Sequence, residues 1–143
     1  MVGLQACTAI EQDCGQLPQD LAAGNAGCLI TRPGAVVMVQ QQLSGTWAIP
    51  GGTAEPRERA ACTAARETAE ETGFKVNVVE PLVVLDNGFH IYRCDVDPNT
   101  EPHRIDALEI RDVQWKSALE RAQIEWRFPQ YQEVTEALIQ RYE

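Results

Sequence analysis

The segment GGTAEPRERAACTAARETAEETGF, residues 51–74, carries the pattern that decides the fold. Its second half is rich in Ala and Glu, which are good helix formers, so we predict a helix from Glu58 to Thr72. Pro56 suits the first turn of such a helix, and Gly73 is the expected residue just after its last turn. Small side chains on one face predict that the helix packs closely on a sheet; they are Ala61, Ala64, Ala65, Thr68, Ala69 and Thr72.

Three glutamates of this helix, Glu67, Glu70 and Glu71, lie at positions i, i+3 and i+4 and therefore share one face. Like charges at this spacing destabilise a helix by about 0.2–0.5 kcal/mol per pair, and the C-terminal end of the helix dipole disfavours anions as well. Local rules are broken in this way at functional sites, and a hard divalent cation would relieve the repulsion. The alternative, a solvated acidic face without a metal, stays open on the spacing alone.

Strands are predicted on both sides of the helix from runs of β-branched and apolar residues. The predicted strands are Ala26–Thr31, Ala35–Gln41, Trp47–Ile49, Lys75–Leu85 with a bend at Pro81, Phe89–Val96 and Ala107–Trp115. Pro33 and Gly34 predict a tight turn that joins the first two strands as a hairpin. Further helices are predicted at Ser117–Gln123 and Pro129–Tyr142. Strands combined with a central and a terminal helix indicate an α+β or layered αβα domain.

Length and charge limit the classes of protein to consider. The 143 residues predict a single domain, 1–143, in which residues 1–24 form an irregular lead-in with a short strand near Leu4–Ile10. With 12 basic and 21 acidic residues the formal net charge is −9, which argues against binding to nucleic acid or to a membrane surface. No apolar run approaches the roughly 18 residues of a membrane span, and the N-terminus does not resemble a signal peptide. A cytoplasmic location is expected, with an exported or periplasmic protein as the alternative.

The five cysteines, an odd number, favour a reducing compartment. Cys28, Cys62 and Cys94 are therefore expected to be small buried residues. Cys7 and Cys14 are the exception, because they lie seven apart in a polar segment and could close a small disulfide loop in an exported protein. No C-x-x-C pair is present, which disfavours a zinc site.

One spacing pattern covers the whole segment: Gly52, five residues, Glu58, seven residues, and then RETAEETGF from Arg66 to Phe74. It resembles the Nudix box, G-x5-E-x7-R-E-U-x-E-E-x-G-U, in which U is a bulky apolar residue, and every fixed position matches. Thr68 departs from the pattern at a U position, and we interpret it as a packing variation because it faces the small side of the helix. The resemblance extends to the flanking strands and spans most of residues 26–115.

The resemblance implies the Nudix fold, an αβα sandwich around a mixed β-sheet, with the box as a loop–helix–loop closed by Gly73. It also implies ligands for Mg²⁺ or Mn²⁺, namely the side chains of Glu67, Glu70 and Glu71 and the carbonyl of Gly52. Arg66 would orient and partly neutralise these glutamates, since a guanidinium suits two carboxylates at once. Glu58 would position the loop and pair within the box.

The activity implied by the resemblance is hydrolysis of a diphosphate linkage, X-P-P-Y plus water, in a small-molecule nucleotide or nucleoside-diphosphate-linked substrate. The general base is either Glu67 or an acidic residue outside the box. Glu109 is the favoured outside residue and Asp112 the second, with Glu101 and Asp106 in the loop before them. The alternative is a Nudix-fold module that binds a nucleotide without cleaving it.

Aromatic residues outside the box are candidates for substrate binding. Trp47, Trp126 and Phe128 are predicted at the cleft, although Trp47 is expected mainly to pack beneath it. Phe89, Tyr92 and Tyr131 could also stack on a base, whereas His90 and His103 are not expected to take part in catalysis. The oligomeric state is left as monomer or homodimer, because no segment of the sequence marks an interface.

Overall fold

The computed structural model describes residues 19–143, together with Cys14 and Leu17, and the strands among them form two four-stranded sheets. The strands are β1 Ala26–Leu29, β2 Thr31–Arg32, β3 Ala35–Gln41, β4 Trp47–Ala48, β5 Gly51–Gly52, β6 Asn77–Val84, β7 His90–Asp95 and β8 Ile110–Lys116. The helices are α1 Ala60–Thr72, α2 Ala118–Arg121 and α3 Gln132–Tyr142. The short strand predicted near Leu4–Ile10 lies outside the described residues.

The first sheet has the order β5-β1-β7-β6, and it is mixed because β1 runs parallel to β7 but antiparallel to β5. In the second sheet β3 pairs antiparallel with β2 and β4 along one edge and with β8 along the other. One mixed sheet and one antiparallel sheet, combined with helices, confirm the α+β class. Strand β6 bulges on both sides of Pro81, where a bend was predicted.

The predicted first strand, Ala26–Thr31, is divided between the two sheets. Strand β1 ends at Leu29 and belongs to the first sheet, whereas β2 begins at Thr31 and forms the predicted hairpin with β3. All four residues of β1 are buried, whereas in β2 Thr31 is half-buried and Arg32 is exposed. The hairpin across Pro33 and Gly34 is therefore confirmed for β2 alone.

Helix α1 begins two residues later than predicted, because the chain before it is still extended. Arg59 has extended backbone angles and forms an isolated bridge with Ala23. The prediction that Pro56 lies in the first helical turn is wrong, since Pro56 lies in the loop. The predicted C-terminal stop is confirmed: Gly73 has a φ of 76°, which favours glycine, and its N–H donates to the Ala69 carbonyl oxygen.

The buried side of α1 packs on the first sheet through small residues. They are Ala60, Ala61, Thr63, Ala64, Thr68 and Thr72. The Cys28 sulfur of β1 lies only 3.7 Å from the Ala64 carbonyl oxygen, so the helix and strand backbones are close. The small face predicted from the sequence is thus the face that contacts the sheet.

Two apolar clusters, one on each side of the strands, give the layers of the sandwich. The cluster on the α1 side contains Cys28 of β1 and Val37 of β3. Their neighbours along the chain, Leu29 and Val36, belong to the other cluster, which includes Ile139 of α3. This alternation buries β1 and β3 on both faces. The predicted helix Pro129–Tyr142 is divided into a 3-10 turn, Pro129–Tyr131, and α3. None of the helices in the described part of the chain is long and apolar enough to cross a bilayer.

Two disulfides correct the predictions made for the cysteines. The structure joins Cys14 to Cys62 and Cys28 to Cys94, with Cα–Cα distances of 4.5 and 5.5 Å. Cys28 and Cys94 are buried as predicted, but they are not free thiols, because the neighbouring strands β1 and β7 bring them together. Cys14 pairs with a half-buried helix residue and not with Cys7, which lies outside the described residues.

We expect the Cys14–Cys62 disulfide to stabilise the fold. It links residues 48 apart in sequence, and such a cross-link typically contributes about 2–4 kcal/mol by restricting the unfolded chain. Cys62→Ser should lower the free energy of urea-induced unfolding by that amount without reductant. In reductant the variant and the wild type should agree, and a difference of the same size in both conditions would contradict the disulfide.

We expect Thr68→Val to stabilise the protein by about 1 kcal/mol. The Thr68 hydroxyl is buried without a hydrogen-bond partner among the described residues, and a buried hydroxyl of this kind costs about 1–3 kcal/mol. Thr72→Val is the matched control, because the buried Thr72 hydroxyl donates to the Thr68 carbonyl oxygen at 2.7 Å. Loss of this hydrogen bond should destabilise the protein. Unfolding midpoints that move in the same direction for both variants would contradict this account.

Candidate active site

Arg66 is the centre of an ion-pair network on the open face of α1. Its Nε and Nη2 donate to the two carboxylate oxygens of Glu58 at 2.8 and 2.9 Å, which makes a bidentate pair. Nη1 donates to Glu67 and Glu70 at 3.2 and 3.1 Å. These carboxylates, Glu58 above all, raise the pKa of Arg66, so its positive charge persists and offsets the repulsion on this face. The contact with Glu70 is therefore one of several and not an isolated helix pair.

Glu58 fastens the loop before α1 onto the helix. Besides Arg66, its carboxylate accepts hydrogen bonds from the Glu55 N–H at 3.0 Å and the Thr63 hydroxyl at 2.8 Å. The hydrogen bond from Arg66 is the main cause that lowers the pKa of Glu58 to about 2, against the opposing effect of burial. Glu58 thus joins the loop at Glu55 to Thr63 and Arg66 of the helix.

The carboxylate of Glu67 lies directly against the backbone of Gly52. A Cβ atom at Gly52 would come within 2.5 Å of Glu67 Cδ and within 2.7 and 2.8 Å of its oxygens, so only glycine leaves room for this approach. Burial raises the pKa of Glu67, and the charges of Glu70 and Glu109 act in the same direction, whereas Arg66 lowers it.

Glu71 is the most buried acidic residue in the described part of the chain, with 4% of its surface exposed. Its Oε1 accepts a hydrogen bond from the Gly51 N–H at 2.8 Å. Burial raises the pKa of Glu71 to about 8, the Gly51 hydrogen bond opposes this, and the charges of Glu67 and Glu109 add to it. A carboxyl group with this pKa is mostly protonated at neutral pH unless a cation lies beside it.

The oxygen donors on this face fit a hard divalent cation in chemical type. Glu67 and Glu71, one helical turn apart, both reach the Gly51–Gly52 strand, and carboxylate and carbonyl oxygens are the ligands that Mg²⁺ and Mn²⁺ prefer. Within the described residues no three Asp, Glu, His or Cys side chains are already arranged around one point. In this arrangement Glu70 accepts a hydrogen bond from Arg66, and Glu71 accepts one from the Gly51 N–H.

Glu109, an acidic residue outside the box, acts electrostatically on two of the box glutamates. Its charge raises the pKa of both Glu67 and Glu71. The prediction that Glu109 lies within a strand is wrong, because β8 begins at Ile110 and Glu109 ends the preceding loop. Asp112 does lie in β8, where its carboxylate accepts a hydrogen bond from the Gln114 side chain at 2.6 Å.

A cleft of about 240 Å³ opens beside this face and reaches Gly51 and Gly52. Its aromatic walls are Trp47, Phe89, Trp126, Phe128 and Tyr131, and the polar side chains around them are Asn25, Gln41, Thr53, Asn87, Arg127 and Thr135. The volume lies just below the range of typical small-molecule pockets, about 300–1,000 Å³, and suits one nucleoside-sized group.

The structure brings the three aromatic residues predicted for substrate binding, Trp47, Trp126 and Phe128, to this cleft. Trp47 and Trp126 are each 7% exposed and also belong to the apolar cluster on the α3 side, so packing and cleft lining coincide in both. Phe128 is 41% exposed. Tyr92 is buried outside the cleft, where its hydroxyl donates to Asp20.

Sequence reasoning missed the polar residues of the cleft. Asn25, Gln41 and Asn87 carry no motif, and only the fold brings them together. Arg127 stands between Trp126 and Phe128, two aromatic residues predicted at the cleft, and this position is the sequence signal that points to it. His103 lies against Gly73 and is not among the described residues that line the cleft.

The family model described as NUDIX domain matches residues 22–138. The match includes the box, both sheets and the residues of the cleft. The chain therefore belongs to the Nudix family, whose members generally use divalent metals.

Two curated relatives are similar to part of the chain. A "MutT-like protein" of Streptomyces ambofaciens is 34% identical over 74 residues, which cover 48% of this chain and 48% of the relative. A "CMP-5'-(N-acetyl-N-hydroxy-3-aminopropyl)phosphonate hydrolase" of Streptomyces rubellomurinus (strain ATCC 31215) is 41% identical over 56 residues, which cover 34% of this chain and 27% of the relative. The matches thus span about half of one relative and about a quarter of the other.

Solved structures of Nudix hydrolases share the fold. A "UDP-X diphosphatase" superposes with a TM-score of 0.69 at 18% identity, over 96% of this chain and 70% of that one. An "ADP-ribose pyrophosphatase" from Streptococcus suis superposes with a TM-score of 0.68 at 17% identity, over 80% of this chain and 87% of that one. The predicted Nudix fold is confirmed.

We expect Glu58→Gln to destabilise the fold at neutral pH by about 1.5–3 kcal/mol, the usual contribution of hydrogen bonds to a charged group. Because folding lowers the pKa of Glu58 from 4.5 to about 2, its stabilising effect is complete above pH 4.5 and is lost as the pH falls towards 2. Urea unfolding at pH 7 and pH 3 measures the difference in unfolding free energy between the wild type and the variant. This difference should be smaller at pH 3.

The matched control is Glu55→Gln, because the Glu55 carboxylate is 66% exposed and 3.8 Å from Arg66 Nε. Such an exposed pair contributes at most about 1 kcal/mol. Two results would contradict the proposed importance of the Glu58–Arg66 pair. One is an equal loss of unfolding free energy in both variants, and the other is a loss in Glu58→Gln that does not change with pH.

Proposed function

We propose that the protein is a divalent-metal-dependent hydrolase that cleaves the pyrophosphate linkage of a nucleotide or of a compound joined to a nucleoside diphosphate. The observation that carries this proposal is the approach of Glu67 and Glu71 to Gly51 and Gly52 at the mouth of an aromatic cleft. The cleft would hold the nucleoside and the box would face the phosphates. A protein of net charge −9 can accept such a polyanion when cations lie between the two.

Glu67, Glu70, Glu71 and the Gly52 carbonyl would hold Mg²⁺ or Mn²⁺. When bound, the cation supplies neutralisation of the phosphate oxygens and lowers the pKa of a coordinated water. The chain's own part is to present these oxygens from a rigid helix and strand. Arg66 holds Glu67 and Glu70 in place by hydrogen bonds, and its own position is fixed by the bidentate pair with Glu58.

Glu109 would accept the proton of the attacking water, with Glu67 as the alternative base. Attack at phosphorus forms one P–O bond and breaks the bond to the bridging oxygen, so that two phosphate-bearing products leave. The influence of Glu109 on the pKa values of Glu67 and Glu71 favours it over Asp112, whose carboxylate is engaged along its own strand.

The names of similar proteins support a nucleotide-linked substrate. One curated relative is named for hydrolysis of a CMP-linked phosphonate, and one structural neighbour is named a UDP-X diphosphatase. In this chain the exposed ring of Phe128 and the aromatic walls beside it would stack on the base. The two disulfides favour an oxidising compartment, the alternative to the cytoplasmic location.

The test is release of phosphate and nucleotide from a panel of substrates with Mg²⁺, with Mn²⁺ and with a chelator. The panel contains nucleoside triphosphates, ADP-ribose, NADH, diadenosine polyphosphates, nucleotide sugars and a CMP-linked phosphonate. We expect cleavage of one class that stops with chelator.

Glu70→Gln and Glu71→Gln should each lower kcat by about 100-fold or more, because each removes charge that the transition state requires. Circular dichroism should show both variants folded, and Glu133→Gln, on the exposed side of α3, is the matched control. Activity near wild type in both box variants would refute the hydrolase. A nucleotide that binds in the presence of metal and is never cleaved would favour the non-catalytic binding module.

A further inference from the structure

Arg127 is a cation in the cleft to which neither the box nor the proposed reaction assigns a role. Of the described residues that line the cleft, it is the only one with a charged side chain. It is exposed and takes part in none of the ion pairs found in the described part of the chain. In a protein with 21 acidic and 12 basic residues, an arginine at a cleft without a carboxylate partner is suited to an anionic ligand.

The backbone of Arg127 is fixed to the strand that leads into the box. The Trp47 N–H donates to the Glu125 carbonyl oxygen at 2.9 Å, and the Arg127 N–H donates to the Trp47 carbonyl oxygen at 2.8 Å. Trp126 thereby pairs in parallel with Trp47 of β4, three residues before Pro50. The Trp126 indole N–H also donates to the Arg121 carbonyl oxygen at 3.1 Å. The position of Arg127 relative to Gly51 and Gly52 is therefore set by regular backbone pairing.

The Arg127 side chain lines the same cleft that reaches the box glycines Gly51 and Gly52. Its guanidinium carbon is 5.0 Å from the centre of the Phe128 ring, which places the charge beside an aromatic wall of the cleft. At Gly51 the same cleft meets the box, because the Gly51 N–H donates to the buried Glu71 carboxyl at 2.8 Å. An anion that extends from the cleft to the box would pass between these groups.

We propose that Arg127 binds the phosphoryl group that stays attached to the cleft-bound part of the substrate, and so positions the scissile linkage at the box. This inference rests on the proposed function. A guanidinium offers two parallel N–H donors to phosphate oxygens and keeps its charge at all working pH values. Because the contact forms on binding and persists through the reaction, its loss should raise KM far more than it lowers kcat.

A binding experiment tests this contact without catalysis. Trp47 and Trp126 line the cleft, so their fluorescence reports occupancy. The probes are CMP, UMP, AMP and GMP, each compared with its nucleoside. We expect the wild type to bind at least one monophosphate more tightly than its nucleoside. Arg127→Ala should weaken the binding of that monophosphate by about 10–100-fold, the usual effect of losing a charge-assisted hydrogen bond. The affinity for the nucleoside should stay unchanged.

Two further variants make the result specific. Arg127→Lys keeps the positive charge without the two parallel N–H donors of the guanidinium, so it should lose part of the affinity for the monophosphate. Arg141→Ala is the matched control, because Arg141 is also exposed and its guanidinium lies 5.6 Å from the ring of the next residue, Tyr142, away from the cleft-lining set. It should leave all affinities unchanged, and thermal melting should show all three variants folded.

Two outcomes would overturn the proposal. One is equal weakening of monophosphate and nucleoside by Arg127→Ala, which would mean that Arg127 only shapes the cleft wall. The other is a wild type that binds no monophosphate more tightly than its nucleoside. A phosphate-dependent loss at Arg127 in a protein that hydrolyses nothing would support the phosphate contact and refute the hydrolase. In an active enzyme, KM for Arg127→Ala should rise about 10–100-fold with kcat within a few-fold of wild type.

Discussion

The close packing of α1 on β1 and β5 is the constraint on which the candidate site depends. Alanine and threonine side chains let the helix approach until the Cys28 sulfur lies 3.7 Å from the Ala64 carbonyl oxygen. At this distance the Glu71 carboxyl reaches the Gly51 N–H and Glu67 lies against Gly52. A larger side chain on the buried face would separate the helix from the strand and would move both acids away from the two glycines. The packing of one face therefore sets the chemistry of the other.

Two arginines divide the positive charge near the site. Arg66 donates hydrogen bonds to several carboxylates and so holds the box together. Arg127 has no ion pair among the described residues and lines the cleft. The first arginine stabilises a local concentration of negative charge that the fold creates. The second is left with hydrogen-bonding capacity for a ligand. This division explains how an acidic protein can keep a cluster of glutamates and still present an attractive surface to an anion.

The sequence predicts the box helix, its small face and its C-terminal stop, because these depend on residues within one or two helical turns of one another. The division of the first strand at Ile30 could not be predicted, since β1 is buried on both faces and shows no alternation of apolar and polar residues. The disulfides depend on contacts between residues 48 and 66 apart in sequence. Asn25 and Asn87 meet at the cleft only because β1 runs parallel to β7, with Ala26 opposite His90.

The loop between β7 and β8 completes the C-terminal end of α1. The His103 N–H donates to the Thr72 carbonyl oxygen at 2.8 Å and the Asp106 N–H donates to the Glu70 carbonyl oxygen at 3.0 Å, so the loop satisfies carbonyls that the last helical turn leaves open. The same loop ends at Glu109. Insertions and deletions are tolerated best in surface loops, and here such a change would relocate an outer carboxylate while the spacing of the box stays intact. An outer carboxylate can thus be moved relative to α1 by a change in this loop alone, without any change in the helix that carries the box.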